Sequence, residues 1–163
     1  PPVSSSPSIK HFYWSEAKCM RGVTVKIRTY QEEDQSAVIA LWHACGLVRP
    51  WNDPAKDIER KVSMQPELFF VGEREGRVIA TAMAGYDGHR GSVYYLAVDP
   101  ACQHQGLGRL LMATIEQRLH AMGCPKLNIL VRTTNETVLA FYRKLGYSVD
   151  EAVSLGKRLI PDD

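Results

Sequence analysis

Apolar and polar side chains alternate from Val23 to Tyr30, with β-branched Val23, Val25 and Ile27 on one parity, which predicts a first strand over Val23–Tyr30. The period changes at Glu32. Val38, Ile39, Leu41 and Trp42 recur at helical spacing as far as Cys45, and Gly46 stands where a closing glycine belongs. Leu47–Asp53 reads as a loop. Asp53-Pro54 then supplies a capping side chain and a proline at the first helical position, so a second helix runs to about Met64 with Ile58 and Val62 on one face. Strands are predicted over Leu68–Glu73 and Val78–Tyr86, turning at Glu75-Gly76. A polar loop, Asp87–Gly91, leads to a strand over Ser92–Val98. The remainder predicts a helix over Gln105–Met122, a strand over Leu127–Arg132, a helix over Asn135–Leu145, and a last strand pair, Tyr147–Val149 and Val153–Ile160.

The order is therefore β-α-α-β-β-β-α-β-α-β-β. Too few β-α-β units are present for a doubly wound dinucleotide fold, and consecutive strands in the middle argue for a mixed sheet with helices on both faces. The 163 residues suffice for one domain. Residues 1–22 are set apart as an extension, since Pro1–Ser8 is rich in Pro and Ser and reads as disordered, and the domain spans 23–163. A net charge of +2 with no dense Lys/Arg tract argues against a nucleic-acid partner. No apolar run approaches the roughly 20 residues of a membrane span. The four cysteines, Cys19, Cys45, Cys102 and Cys124, lack C-x-x-C spacing and clustered histidines. They read as free thiols in a reducing cytoplasm, with no metal site.

One motif carries chemistry. Gln103-His104-Gln105-Gly106-Leu107-Gly108 follows a strand and a stop at Asp99-Pro100, and it opens a helix. Strand, glycine-bearing turn and helix leave several backbone N–H groups unpaired at the positive end of the helix dipole, a ready cradle for a phosphate group. Gly106 and Gly108 would let a phosphate approach without a Cβ in the way. The turn lacks the Lys-Ser/Thr of a nucleoside triphosphate loop and the third glycine and distal acid of a dinucleotide fingerprint. It suits a pyrophosphate whose other parts bind elsewhere. A second constellation, Asn135…Phe141-Tyr142…Gly146-Tyr147, places Asn135 and Tyr142 two helical turns apart on one face. Asn135 is also an N-cap candidate, and the Tyr142 phenol can donate a proton to a leaving group.

Together the two constellations resemble the GCN5-related N-acetyltransferase (GNAT) superfamily over about residues 23–160. Arg49-Pro50-Trp51-Asn52-Asp53-Pro54, Gly85–Gly91 and Ser154–Leu159 are similar to its bacterial YpeA-type subgroup. The resemblance implies an α/β fold with a mixed, mostly antiparallel central sheet flanked by helices, and a splayed cleft beside the fourth strand. It implies acetyl-CoA as donor and no metal. Backbone amides of Gln105, Gly106, Leu107, Gly108 and Arg109, with Gln103 at the head of the motif, would hold the pyrophosphate. The main chain of Leu96, Ala97 and Val98 would pair with the pantetheine arm, which Asn135 would also contact. Tyr142 would sit near the sulfur as general acid.

The reaction implied is direct attack by a neutral primary amine on the thioester carbonyl, with a backbone N–H near Leu96 or Val98 polarising it. Asp87 and His89 are candidate bases, Glu73 a weaker one. Arg49, Trp51 and Asn52, with Tyr94, would line the acceptor site. Alternation across the sheet would send one of Tyr94 and Tyr95 to the cleft and the other to the core. The acceptor is a small-molecule or peptide amine, and homodimers are frequent in the family. A non-catalytic CoA-binding module that senses or couples to a partner is the rival from another class, and a nucleotide-sensing phosphate binder is the third reading.

Overall fold

A computed structural model describes the backbone of residues 16–18 and residues 24–162 in full. The predicted disorder of Pro1–Ser8, and Cys19, lie outside the described residues. A six-stranded sheet has its strands in sequence order: β1 (Glu16–Lys18), β2 (Thr24–Thr29), β3 (Phe69–Arg74), β4 (Arg77–Tyr86), β5 (Gly91–Val98) and β6 (Leu127–Ile129). Every neighbouring pair is antiparallel except β5 and β6, which run parallel. The mixed, mostly antiparallel sheet expected from the sequence is thus present. β1 is an added edge strand in a stretch where the apolar pattern predicts none.

Helices α1 (Gln35–Ala44) and α2 (Pro54–Ser63) cover one face, and α3 (Leu107–Ala121) with α4 (Glu136–Lys144) covers the other. Each starts for a local reason. The Asp53 carboxylate accepts from the N–H groups of Ala55 (2.8 Å) and Lys56 (3.3 Å), with Pro54 at the first helical position. α1 is preceded by a 3₁₀ turn, Glu32–Asp34, in which the Gln31 N–H donates to Asp34 at 2.9 Å. On the α1/α2 face Val38, Trp42, Ile58, Phe69 and Val71 form the core. On the α3/α4 face Leu107, Leu111, Met112 and Ile115 pack on Val25, Ile27, Phe70 and Ile79.

Arg28 of β2 ties the start of α1 to the sheet. Its guanidinium donates to both Asp34 oxygens (2.7 and 2.8 Å) and to Glu73 of β3 (2.7 Å). Both members of the Arg28–Asp34 pair are largely buried, so the fork geometry is what makes the burial tolerable.

Two predicted strands are absent. Tyr147–Val149 and Val153–Ile160 are irregular, and Val153, Leu155, Leu159 and Ile160 are exposed. The alternation that suggested a strand meets no ladder, because β6 stops at Ile129, three residues short of its predicted end. The polar groups of this tail bond instead to the α2 side. Arg158 donates to the Asn52 Oδ1 at 2.9 Å, and the Asp162 carboxylate pairs with Arg60 and accepts from the Asp53 N–H at 3.0 Å.

α3 begins later than its apolar pattern suggests, at Leu107, because Gly106 before it is left-handed with φ +82°. Gly108, one residue into α3, joins the two helices of this face. A Cβ there would lie 3.1 Å from the Phe141 ring of α4. Helix–helix packing therefore also constrains this position.

Two outcomes follow from this packing. Gly108→Ala should cost about 1–3 kcal/mol by overpacking, and Phe141→Leu in the same chain should return part of it; a double-mutant cycle in urea reads the coupling. Burial raises the Asp34 pKa, but the Arg28 hydrogen bonds, the Gln31 N–H and the Arg28 charge outweigh it and hold the carboxyl below its usual range. Its contribution is complete above the ordinary carboxylate pKa and is lost as pH falls through that value toward the lowered one. Asp34→Asn should therefore destabilise by about 2 kcal/mol at pH 7, and the gap between variant and parent should close in acid.

Candidate active site

The glycine-bearing turn is built from the end of β5. The Asp99 N–H donates to the Ile79 carbonyl at 2.8 Å, and the Asp99 side chain accepts from the Ala101 N–H at 2.9 Å. A 3₁₀ turn, Pro100–Cys102, follows, closed by the Cys102 N–H on the Asp99 carbonyl at 2.7 Å. His104 (φ +61°) and Gly106 (φ +82°) are left-handed on either side of Gln105. Among the described residues the N–H groups of Gly106, Leu107, Gly108 and Arg109 donate to no protein acceptor, and the first helical bond is Leu110 N–H to the Gly106 carbonyl at 3.0 Å. The N–H groups of Gly106 through Arg109 thus stand unpaired at the positive end of a 15-residue helix.

Gln103 does not reach toward that cradle. Its Nε2 donates to the Val98 carbonyl at 3.2 Å, tying the turn to β5. The Cys45 Sγ donates to the same carbonyl at 3.3 Å, so this main-chain acceptor is already engaged. The Leu107 and Ala97 side chains are buried in the two cores, so only their backbone could face a ligand. Arg109 is exposed on the first turn of α3.

β5 changes partners along its length. β6 pairs with it only through Gly91–Leu127, Ser92–Asn128 and Val93–Ile129, and beyond this the two strands part. On its other side β5 carries a bulge. Between the pairs Met83–Tyr94 and Thr81–Ala97, Ala82 alone faces both Tyr95 and Leu96. Tyr95 takes φ +51° there. The bulge cancels the alternation between the two tyrosines: Tyr94 pairs with Met83 and Tyr95 packs in the same cluster as Met83, so both lie on the α1/α2 face. The expectation that one faces each way is corrected. The bulge is fastened by a relay in which the Trp42 Nε1–H donates to the Thr81 hydroxyl (2.9 Å), which donates to the Tyr95 carbonyl (3.1 Å).

The Tyr95 ring stacks on Trp42 at 3.9 Å between centroids, and its hydroxyl donates to the Asp57 carboxylate at 2.6 Å. Burial, then Asp57, pushes its pKa far up. Nearby, Tyr94 and Trp51 are about half exposed (51% and 53%), so Trp51 does not anchor its loop in the core. Arg49 bears on this loop through its carbonyl, which accepts from the Asn52 N–H at 3.0 Å. Sequence reading missed Asp57. One turn into a helix, an acid reads as a complement to the dipole, and only the bulge brings Tyr95 to it.

Tyr142 is buried, at 7% exposure, in the α3/α4 core to which Leu96 and Val98 also belong. Phe141 and Tyr147 meet its ring edge-on, with centroids at 5.0 and 5.6 Å. No described residue hydrogen-bonds its hydroxyl, which borders a groove of about 1130 Å³ with Ile129, Val131 and Tyr147. Burial raises its pKa to about 12. Asn135 caps α4, its Oδ1 accepting from the Val138 N–H at 3.3 Å.

The candidate bases are not brought to this point. Asp87 and His89 sit in the turn before Gly91, at the end of β5 that is joined to β6. The Asp87 carboxylate accepts from the N–H groups of Arg90 and His89, both at 2.8 Å, and these bonds lower its pKa, making it a weaker base. Glu73 is held by Arg28. Among the described residues no group of His, Cys, Asp and Glu could hold a metal ion, and no helix is long and apolar enough to cross a membrane.

Comparison with known proteins agrees with this geometry. Residues 25–147 match the model of the acetyltransferase (GNAT) family. An acetyltransferase of Yersinia pestis (strain Pestoides F) is 50% identical over 138 residues, covering 85% of this chain and 98% of that protein. Among solved structures, the ribosomal-protein-S18-alanine N-acetyltransferase of Escherichia coli superposes with a TM-score of 0.63 at 25% identity, over 75% of this chain and 76% of that one. Ard1 of Thermoplasma volcanium, at 21% identity, shares the fold with a TM-score of 0.65 over 77% of this chain and 84% of that one. The family match over residues 25–147, joined to a relative half identical over 85% of the chain, makes this chain a member of the GNAT acetyltransferase family.

Proposed function

We propose that the protein moves an acetyl group from acetyl-CoA to a primary amine by direct attack. The observation that carries this reading is the set of unpaired N–H groups from Gly106 to Arg109 beside two left-handed residues. Four unpaired donors and a helix dipole fit a diphosphate. The donor supplies an activated thioester carbonyl, and the parting of β5 from β6 gives its arm a strand edge to run along. The similar E. coli structure is an enzyme named for an alanine acceptor on a protein, which supports an amine acceptor here.

A neutral amine adds to the carbonyl carbon, the carbon–sulfur bond breaks, and the sulfur takes a proton from the Tyr142 hydroxyl. At neutral pH that hydroxyl holds its proton, since burial has raised its pKa to about 12. A thiolate released in the same dry surroundings gains proton affinity by the same desolvation. The proton shed by the attacking amine leaves to water, because Asp87 and Glu73 are committed to a turn and an ion pair. The exposed Tyr94 and Trp51 with Asn52 and Arg49 form the acceptor side.

Acetyl-CoA at a hundred times its Kd should stabilise the protein by about 2.7 kcal/mol through linkage, read as a rise in Tm, while ATP and NAD leave Tm unchanged. Gly106→Asp should abolish that rise by placing a carboxylate in the cradle; an undiminished shift counts against the site. Tyr142→Phe should lower kcat by about 10²–10³ with donor Kd unchanged. Unchanged turnover would assign the proton to water, and a protein that binds acetyl-CoA yet acetylates no amine in a broad panel would be a binding module.

A further inference from the structure

We infer that Arg74 positions the phosphate turn and supplies a positive charge at its root. This rests on the reading of the turn as a diphosphate cradle. Arg74 closes β3, on the hairpin beside the end of β5, and is half-buried. Its guanidinium lies 2.8 Å from the Cys102 Sγ and 3.5 Å from the Gln105 Oε1, both in the turn. Cys102, at 2% exposure, is the buried root of that turn, and Gln105 stands between the two left-handed residues. One side chain from a separate strand thus holds the turn at two points.

The charge argument is independent of these contacts. Arg28, the other partly buried arginine of the sheet, is neutralised by two carboxylates. Among the described residues Arg74 forms no ion pair with any carboxylate. A half-buried guanidinium with no carboxylate partner among the described residues, held against the turn that carries four unpaired N–H groups, has the charge and the spare donors that a diphosphate requires. Cys102 and Gln105 are neutral acceptors that fix the fork without cancelling it. The role is one of positioning and charge, remote from the thioester.

Two donors separate this role from a merely structural one. Acetyl-CoA and S-acetyl-pantetheine carry the same thioester, and only the first has the diphosphate. Arg74→Met should raise the KM for acetyl-CoA about tenfold, the loss expected of one charge-assisted hydrogen bond, with kcat unchanged. The KM for S-acetyl-pantetheine should not move, and Arg74→Lys should recover part of the loss. The salt dependence of the acetyl-CoA KM should flatten in Arg74→Met. An unchanged KM for acetyl-CoA, or equal increases for both donors, overturns the inference. Should Arg74→Met not fold, Arg74→Lys and Gln105→Ala carry the same comparison, and an unchanged acetyl-CoA KM in both is the overturning result. Titration of the parent with acetyl-CoA precedes the variants; absence of binding there refutes the donor assignment itself.

Discussion

The hydrogen-bond relay from Trp42 through Thr81 to the Tyr95 carbonyl is the interaction on which the rest of the site depends. Thr81 is fully buried on a central strand, where an unsatisfied hydroxyl would be costly, and the bulge gives it a carbonyl to bond. The extra residue bends β5 and holds Tyr95 in a left-handed conformation that its side chain would not choose alone. That bend brings Tyr94 and Tyr95 to one face, where Tyr95 meets Asp57. Strain in the strand is thus balanced by burial of Trp42 between Phe69 and Tyr95.

The second organising contact joins the two halves of the sequence signature. Phe141 lies against the backbone of Gly108, and its neighbour Tyr142 turns inward to the core that Leu107 and Leu111 also fill. Asn135 fixes where α4 begins, so the distance from cap to tyrosine is set by helix geometry. The glycine of one motif and the aromatic pair of the other are therefore parts of one packing unit.

What the sequence made legible was local. Asp53-Pro54, Asn135 and the glycines after α1, α3 and α4 announce helix ends through backbone conformation and short-range hydrogen bonds, and the structure places them there. The donors at Gly106–Arg109 were readable for the same reason. What was not legible depended on distant residues. The parity of Tyr94 and Tyr95 was misjudged because a bulge is fastened from α1, fifty residues away in the chain by rough count. Glu73 is spoken for by Arg28, and Gln103 by Val98, neither of which any spacing rule announces. The tail from Val153 to Ile160 alternates like a strand, yet a strand needs a partner edge, and Arg158, with Asp162 beyond it, bonds instead to Asn52, Asp53 and Arg60.

The meander of β3, β4 and β5 has an implication for how the chain assembles. Its connections are only the turn at Glu75-Gly76 and the loop Asp87–Arg90, so three adjoining strands can zip together with little loop-closure entropy to overcome. β6 must wait for the whole of α3 to fold and cross over before it can dock in parallel. A ribosome delivering the chain from its N-terminus would therefore complete the bulged strand and the amide cradle before the wall that carries Tyr142 exists. The turn of unpaired amides and the helix that carries Tyr142 thus belong to successive stages of folding.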